Sequence, residues 1–206
     1  TKRAKNIHSI LCDLKGNIWF STDEGLFIAD EHRRNLKEVR LPKAKPTHII
    51  SLYEDDNGYI WAGTFGNGLY CIHPQLQKIK LFSEPEGLSN GNILSIKGKT
   101  NQLWLATLGG AYKCTITGDP FDEKSSIVFT NYGVQHFPGN NYIYSVFIDS
   151  RNRVWFGTDG KGISMLENNR FTNFDKAQGL KSNIVYSITE DKNGDIWFST
   201  ANAGIY

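Results

Sequence analysis

Five tryptophans recur at nearly even intervals, and this regularity constrains the fold more than any other feature of the 206-residue chain. They are Trp19, Trp61, Trp104, Trp155 and Trp197, separated by 42, 43, 51 and 42 residues, and the chain has no other tryptophan. A period of about 40–50 residues built from short apolar runs is typical of repeat folds whose units are small sheets. The sequence therefore predicts an array of propeller blades rather than one mixed core.

Each repeat encodes a hairpin in front of its tryptophan. An aspartate stands six residues earlier in four copies: Asp13, Asp55, Asp149 and Asp191. Because an aspartate that opens a turn accepts hydrogen bonds from nearby backbone amides, we interpret these residues, and acidic runs such as Glu190-Asp191, as turn caps and not as calcium or acid–base sites. The third copy, KGKTNQ at Lys97–Gln102, lacks the aspartate and is one residue shorter when measured from Ser95.

The strands of each repeat can be placed from their side chains. Apolar residues flank each tryptophan on both sides, as in Ile196-Trp197-Phe198, so both faces of this strand are expected to be covered by neighbouring blades. A threonine follows three residues later, and then a glycine that begins a third strand. A more polar fourth strand is predicted near residues 36–41, 78–82, 127–132 and 171–174.

The fold class that follows is all-β, a β-propeller of four-stranded antiparallel blades. Four blades are complete and a fifth has three strands, and their predicted limits are about 6–43, 46–84, 91–133, 141–176 and 183–206. We expect this partial propeller to be part of a larger ring, because an open array leaves apolar blade faces exposed.

The repeated phrase Ser-Ile-x-x-Asp-x-x-Gly-x-Ile-Trp-x-x-Thr-x-x-Gly-Leu-Tyr resembles the two-component regulator propeller repeat, and the resemblance covers all five copies. In that family the repeats build seven-bladed propellers, usually two in tandem. These propellers form the periplasmic sensor regions of hybrid two-component systems that are abundant in gut Bacteroidetes. A small all-β domain, a membrane helix, a histidine kinase and often a DNA-binding response regulator follow, and the family typically responds to oligosaccharides.

The resemblance implies a function and partners for this chain. It implies a non-catalytic, periplasmic sensing region of a receptor whose full length carries histidine kinase activity and regulates polysaccharide-utilisation genes. Its expected partners are an oligosaccharide ligand, the remaining blades and domains of the same receptor, and a second receptor copy in a homodimer. The net charge of +2 favours neither nucleic acid nor an anionic membrane as a partner of this region.

The sequence offers no catalytic constellation. None of the five histidines, His8, His32, His48, His73 and His136, pairs with another at metal-ligand spacing, and no nucleophile motif occurs. We therefore expect no catalytic residues, no metal and no cofactor. Two alternatives to a sensor remain. One is a protein-interaction scaffold without a small ligand, and the other is an enzyme similar to streptogramin lyases, whose repeats read Ile-Trp-Phe-Thr-Glu, whereas Trp197-Phe198-Ser199-Thr200-Ala201 lacks that glutamate.

Ligand-binding residues are best sought where the copies differ. In propellers the connector into each inner strand and the loop between second and third strands emerge on one rim. Amide, charged and aromatic side chains in these loops suit carbohydrate, although such residues also favour ordinary turns. The predicted ligand-binding residues are His48, Phe65, Asn67, Asn92, Asn141, Tyr142, Asp159, Lys161, Asn183 and Asn202, with Asp23 in an equivalent loop.

Three cysteines make an odd number. Cys12 is predicted on an inner strand, and Cys71 and Cys114 on third strands with their side chains on opposite faces. We expect free, buried thiols that act as small hydrophobic groups. A disulfide to a segment outside this chain is the alternative.

Overall fold

The computed structural model describes residues 6–32, 34–42, 47–75, 77–137 and 141–206. Within these ranges the chain forms five small antiparallel sheets that follow one another along the sequence. The predicted blade limits near residues 43 and 46 lie outside the described residues.

The strand bounds repeat from blade to blade. Blade 1 contains β1 (Ile7–Cys12), β2 (Ile18–Thr22), β3 (Gly25–Ala29) and β4 (Leu36–Val39). Blade 2 contains β5 (Ile49–Glu54), β6 (Ile60–Thr64), β7 (Leu69–His73) and β8 (Lys78–Phe82). Blade 3 contains β9 (Ile93–Lys99), β10 (Gln102–Thr107), β11 (Gly110–Thr117) and β12 (Ser126–Tyr132). Blade 4 contains β13 (Ile143–Ile148), β14 (Val154–Thr158), β15 (Ile163–Glu167) and β16 (Arg170–Phe174), and blade 5 contains β17 (Val185–Glu190), β18 (Ile196–Thr200) and β19 (Gly204–Ile205).

Each blade is a simple meander in which every strand pairs with the next one along the chain. The first strands of successive blades, β1, β5, β9, β13 and β17, also contact one another in that order. This arrangement confirms the predicted all-β propeller architecture, with four four-stranded blades and a fifth of three strands. Helix is confined, in the part of the chain that is described, to two single turns at Glu84–Glu86 and Lys176–Gln178, and neither has the length and apolarity of a membrane span.

The tryptophans pack between blades, as their apolar flanks predict. Trp61 lies in a cluster with Ile96 and Leu103 of blade 3, and the Trp104 ring meets the Phe156 ring of blade 4 edge-on at 5.4 Å between centroids. Trp19 and Trp155 are buried in the same way against the blades that follow them. Trp197 differs, because 44% of its surface is exposed and no described blade follows it.

The aspartates cap their hairpins, which confirms the turn-capping interpretation. In blade 4 the Asp149 Oδ1 accepts hydrogen bonds from the backbone amides of Arg151 at 3.0 Å and Arg153 at 2.8 Å. The Asp149 Oδ2 accepts from the Trp155 indole Nε1 at 2.8 Å. The sequence pattern did not suggest this second bond, and it explains why aspartate and tryptophan stand at a fixed spacing.

The cysteines confirm the prediction in part. All three are free thiols. Cys71 of blade 2 and Cys114 of blade 3 are buried in one cluster between these blades. Their side chains lie on opposite faces of their own blades, and each therefore points into this shared interface. Burial raises the pKa of the Cys114 thiol to about 12, which leaves it protonated and unreactive at neutral pH. Cys12 was expected to be buried but is exposed, because it ends β1 on the face of blade 1 that no described blade covers.

Candidate functional site

The loops between second and third strands and the connectors that enter the inner strands meet on one side of the propeller, which we call the loop rim. Backbone hydrogen bonds join the loop and the connector of the same blade. The Phe65 amide donates to the His48 carbonyl at 2.8 Å, and the Asp159 amide donates to the Tyr142 carbonyl at 2.9 Å. The two kinds of loop that the sequence grouped together are therefore physically joined.

Other backbone bonds join each loop to the connector of the next blade. The Gly66 amide donates to the Gly91 carbonyl at 2.9 Å, and the Gly110 amide donates to the Asn141 carbonyl at 2.7 Å. The Gly162 amide donates to the Asn183 carbonyl at 2.7 Å. The rim is thus a continuous seam of backbone bonds across blades 2 to 5, and the side chains that rise from it are held on a fixed base.

The threonine of each repeat closes its rim loop. The Thr158 hydroxyl donates to the Gly162 carbonyl at 2.9 Å and accepts from the Lys161 amide at 3.0 Å. Thr64 makes the same pair of bonds, to the Gly68 carbonyl at 2.8 Å and from the Asn67 amide at 2.9 Å. The hydroxyl makes both of its hydrogen bonds within the turn, so the threonine that recurs in every repeat is a structural residue of the rim.

Eight of the ten predicted ligand residues form two groups and one isolated position. The other two are His48, which belongs to the third group described below, and Asn141, whose carbonyl accepts from the Gly110 amide. The first group is at blades 2 and 3, where Phe65 is 55% exposed and forms a β-bridge with Asn92, with Asn67 two residues further along the loop. The second is at blades 4 and 5, where Tyr142, Asp159, Lys161 and Asn183 are held by the seam. Asn202 stands apart in the blade 5 loop, where its φ of 58° makes it a turn residue.

Asn183 contributes to the rim as a structural residue. Its carbonyl accepts from Gly160 at 3.0 Å as well as from Gly162, and its side-chain Oδ1 accepts from the Lys176 amide at 3.0 Å. These bonds hold the connector in place and use the side-chain acceptor. Of the predicted residues at blades 4 and 5, Tyr142 is the one with a large exposed apolar surface, at 44%.

Two further tyrosines lie in the second group, at blades 4 and 5, and were not predicted from the sequence. Tyr144 of β13 and Tyr186 of β17 occupy the same strand position in adjacent blades, and their ring centroids are 5.6 Å apart. Tyr186 is 55% exposed. Both tyrosines are the second residue of an inner strand, and the recurrence of tyrosine at this repeat position in two adjacent blades is the signal that could have identified them.

A carboxylate supports this aromatic pair. Burial raises the pKa of Tyr144, and the negative charge of Asp159 together with a hydrogen bond between the two side chains raises it further. Tyr144 therefore remains a neutral phenol whose hydroxyl group donates a hydrogen bond to the Asp159 carboxylate. We call Tyr142, Tyr144, Asp159 and Tyr186 the tyrosine cluster.

Blades 1 and 2 carry a third group of rim side chains. The His8 Nε2 and the Asp23 Oδ1 are 2.7 Å apart, and the Asn6 Nδ2 donates to the other Asp23 oxygen at 2.7 Å. The hydrogen bonds from His8 and then Asn6 lower the pKa of Asp23, so this carboxylate is ionised at neutral pH. The His8 and His48 rings lie 6.4 Å apart between centroids.

This third group is the set of described residues whose ligand atoms converge as a metal site would require. Ligand atoms of His8, Asp23 and His48 lie within 4.8 Å of one another. Sequence spacing gave no sign of it, because folding brings residues 8 and 48 together from successive blades. Two imidazoles and a carboxylate could hold a divalent metal ion, and in this structure the two carboxylate oxygens of Asp23 are paired with Asn6 and His8.

Comparison with protein families gives one match. The family model described as "Two component regulator propeller" matches residues 45–66, 137–160 and 179–202. Each matched segment contains the first two strands of a blade and ends in the rim loop of that blade, so the match follows the repeat seen in the structure. A search of curated proteins finds no match.

Solved structures share the fold at low sequence identity. The extracellular domain of a protein described as a hybrid two component system from B. thetaiotaomicron is 22% identical, with a TM-score of 0.75 over 97% of this chain and 27% of that chain. Virginiamycin B lyase from Staphylococcus aureus is 20% identical, with a TM-score of 0.73 over 100% of this chain and 70% of that chain. PorZ, a surface component of the type-IX secretion system of Porphyromonas gingivalis, is 17% identical, with a TM-score of 0.67 over 98% of this chain and 32% of that chain.

The chain spans about a quarter of the length of the B. thetaiotaomicron extracellular domain. These likenesses establish the propeller fold, which sensors, a lyase and a secretion component share, and a shared fold does not determine function. Three of the repeats are specifically similar to the two component regulator propeller family, and this similarity supports a sensor propeller of a two-component system.

Proposed function

We propose that this chain is part of the extracytoplasmic, periplasmic sensor propeller of a hybrid two-component receptor that responds to oligosaccharides and regulates polysaccharide-utilisation genes, in the manner of Bacteroidetes systems. The family similarity of the repeats supports the receptor class. The tyrosine cluster on the loop rim supports the ligand class. The rest of the propeller, the kinase domains and a second receptor copy are the partners that this function requires.

The chemistry of the tyrosine cluster is suited to sugar. Tyr142 and Tyr186 are 44% and 55% exposed, so each offers ring surface on which the C–H face of a pyranose can stack. Asp159 provides charge-assisted acceptors for hydroxyl groups. A backbone bond joins Tyr142 to Asp159, and Tyr144 and Tyr186 lie on the inner strands β13 and β17. The cluster is therefore preorganised, and little conformational entropy is lost on binding.

Thermal denaturation of the receptor's intact propeller region with a panel of plant, host and microbial oligosaccharides tests the proposal. A ligand at about 100 times its dissociation constant adds about 2.7 kcal/mol of stability. For a domain of about 150–250 residues that corresponds to a rise of about 5–10 °C in Tm, and the rise is smaller for a larger propeller. We expect one glycan class to give this rise and the others to give none.

Variants of the cluster locate the site. Tyr186→Ala removes the stacking ring and should abolish the rise in Tm, whereas Tyr186→Phe keeps the ring and should retain most of it. Phe65→Ala removes a ring of equal exposure from the blade 2 and 3 group, and it serves as the matched control that keeps the full rise. Absence of a shift with every glycan would instead favour a protein-binding scaffold.

A further inference from the structure

Blade 3 breaks the tryptophan–aspartate pairing on the opposite side of the propeller, which we call the hairpin rim because the hairpins between first and second strands lie there. In the other blades the indole Nε1 donates to an aspartate carboxylate, at 2.9 Å for Trp19, 2.7 Å for Trp61, 2.8 Å for Trp155 and 3.1 Å for Trp197. Trp104 is only 5% exposed, and its hairpin has no aspartate to accept a hydrogen bond from the indole N–H.

The residue that replaces the aspartate carries the opposite charge. The Asp149 amide bonds to the Arg153 carbonyl at the end of its hairpin, and the β9–β10 register places Lys99 opposite Gln102 at the corresponding position. The blade 3 hairpin is shorter, and the Lys99 ammonium donates to the Asn152 Oδ1 of blade 4 instead of meeting Trp104. A carboxylate acceptor has thus been exchanged for a cationic donor.

A pocket opens at this position between blades 3 and 4, with a volume of about 690 Å³. Its lining includes Trp104 and Lys99, apolar side chains from Ile148 and Val154, and amides from Gln102 and Asn152. Lys99 is the one charged residue in the lining, and the lining contains no acidic residue. A second cation lies close by, since the Lys113 Nζ is 5.9 Å from the centroid of the Trp104 ring.

We propose that this pocket binds a small organic acid. The ligand carboxylate occupies the position that an aspartate carboxylate holds in the other blades, where it accepts from the Trp104 indole N–H and pairs with the Lys99 ammonium. The remainder of the ligand lies against Ile148 and Val154. This site is on the opposite rim from the tyrosine cluster, and it does not depend on oligosaccharide sensing.

Two physical points support an anionic ligand. A bond from a donor to a carboxylate is roughly twice as strong as one between neutral groups. The volume of the pocket lies within the range of small-molecule sites, about 300–1,000 Å³.

Acetate is the side chain of aspartate without its backbone, so it is the minimal probe. In ¹H–¹⁵N spectra of the labelled chain, the five tryptophans give five indole N–H resonances, and Trp104→Phe and Trp155→Phe assign two of them by deletion. Titration with sodium acetate at constant ionic strength should shift the Trp104 resonance saturably in the millimolar range. The aspartate-bonded Trp155 resonance should stay in place.

Neutral acetamide is the matched ligand control, and its effect should be at least about 10-fold weaker because it carries no charge. Lys99→Met should weaken acetate binding by a similar factor. Lys192→Met removes an equal charge from the blade 5 hairpin, outside the pocket lining, and acetate binding should survive it. The proposal is overturned if the Trp104 resonance does not shift up to about 100 mM acetate, or if Lys99→Met and Lys192→Met bind acetate equally.

Discussion

A single aspartate carboxylate links turn and core in each regular blade. One carboxylate oxygen of Asp149 binds the amides of its own turn, and the other binds the indole of Trp155, whose side chain packs between blades 4 and 5. The polar atom of a large buried side chain is thereby satisfied without a water molecule. The pair therefore acts as one unit, and either residue alone would leave the other with an unmet hydrogen bond.

Truncation of the tryptophans should reveal how much each interface contributes to stability. Trp155→Ala should lower the free energy of unfolding by about 3–5 kcal/mol, as truncation of a buried tryptophan generally does. Trp197 occupies the same repeat position but is 44% exposed. Because it buries less apolar surface, Trp197→Ala should cost at most about half as much.

Urea denaturation followed by circular dichroism measures both variants on the same scale. The two substitutions remove the same atoms from the same repeat position, so their difference reports burial alone. Equal losses at the two positions would contradict the packing of Trp155 between blades.

Low pH should reduce the stability that the Asp149–Trp155 pair contributes. Burial alone would raise the pKa of Asp149, but the hydrogen bonds from Trp155 and Arg153 outweigh it and hold the pKa below the ordinary 3.8. A group whose folded pKa is lowered stabilises the fold above its unfolded pKa, and this contribution is lost as the pH falls from 3.8 through the lowered value. The free energy of unfolding should therefore decline over that acidic range.

Asp149→Asn should make this decline shallower, since the amide does not titrate, and it should also lower stability at neutral pH. Glu167→Gln neutralises an exposed carboxylate at the end of β15 and is the matched control. Urea midpoints measured at pH 7 and at steps below pH 4 give both slopes. An unchanged slope for Asp149→Asn would show that the carboxylate does not couple the turn to the core.

At the scale of the element, the loop between β14 and β15 depends on one glycine more than on another. Gly160 and Gly162 both have positive φ, at 98° and 72°. A Cβ at Gly162 would lie 2.1 Å from the Phe174 carbonyl oxygen, whereas a Cβ at Gly160 would have nothing within 4 Å. The close approach at Gly162 lets β15 begin and β16 end directly under the rim loop.

Alanine substitution separates backbone strain from steric clash. Both Gly160→Ala and Gly162→Ala impose the cost of a positive φ, about 1 kcal/mol. Gly162→Ala must also move a backbone carbonyl, so it should be less stable than Gly160→Ala by at least about 2 kcal/mol in urea denaturation. Equal stability of the two variants would mean that the β15–β16 edge can shift without loss.

The strands were largely predictable because the same sequence pattern recurs in every repeat. The strand predicted at residues 78–82 is observed at Lys78–Phe82, since alternation and the preceding turn are local properties of the chain. The candidate site was only partly predictable. Phe65 was found because its loop differs from its counterparts, but the proximity of Tyr144 to Tyr186 and of His8 to His48 depends on how adjacent blades pack.

In the whole molecule, every interior interface is built from the same two faces. The tryptophan face of one blade packs against the inner-strand face of the next, as Trp155 does against Ile188 and Trp104 against Val146. Acidic residues on the hairpin rim reinforce these interfaces. The Glu190 carboxylate accepts from the Ser150 amide at 2.8 Å and the Glu54 carboxylate from the Leu14 amide at 2.7 Å, both from the preceding blade.

The first and last blades each leave one of these two faces exposed. Ile10 corresponds to Ile188 in its repeat but is 64% exposed, and Trp197 lacks a following blade within the described residues. The two exposed faces are complementary because every interior interface joins the same pair. The isolated chain should therefore self-associate head to tail, with the Trp197 face of one copy on the Ile10 face of another.

Sedimentation velocity over a range of concentrations measures this association. We expect the weight-average mass of the 206-residue chain to rise above that of a monomer as concentration increases.

Ile10→Glu places a charge at the centre of the exposed inner-strand face, and burying that charge without a partner is costly, so the variant should remain monomeric. Val128→Glu changes a side chain of similar exposure, 54%, on the outer strand of blade 3, away from both faces, and should associate as the unmodified chain does. A monodisperse, cooperatively unfolding monomer of the unmodified chain would mean that exposed blade faces do not drive assembly, and equal association of the two variants would place the contact elsewhere on the surface.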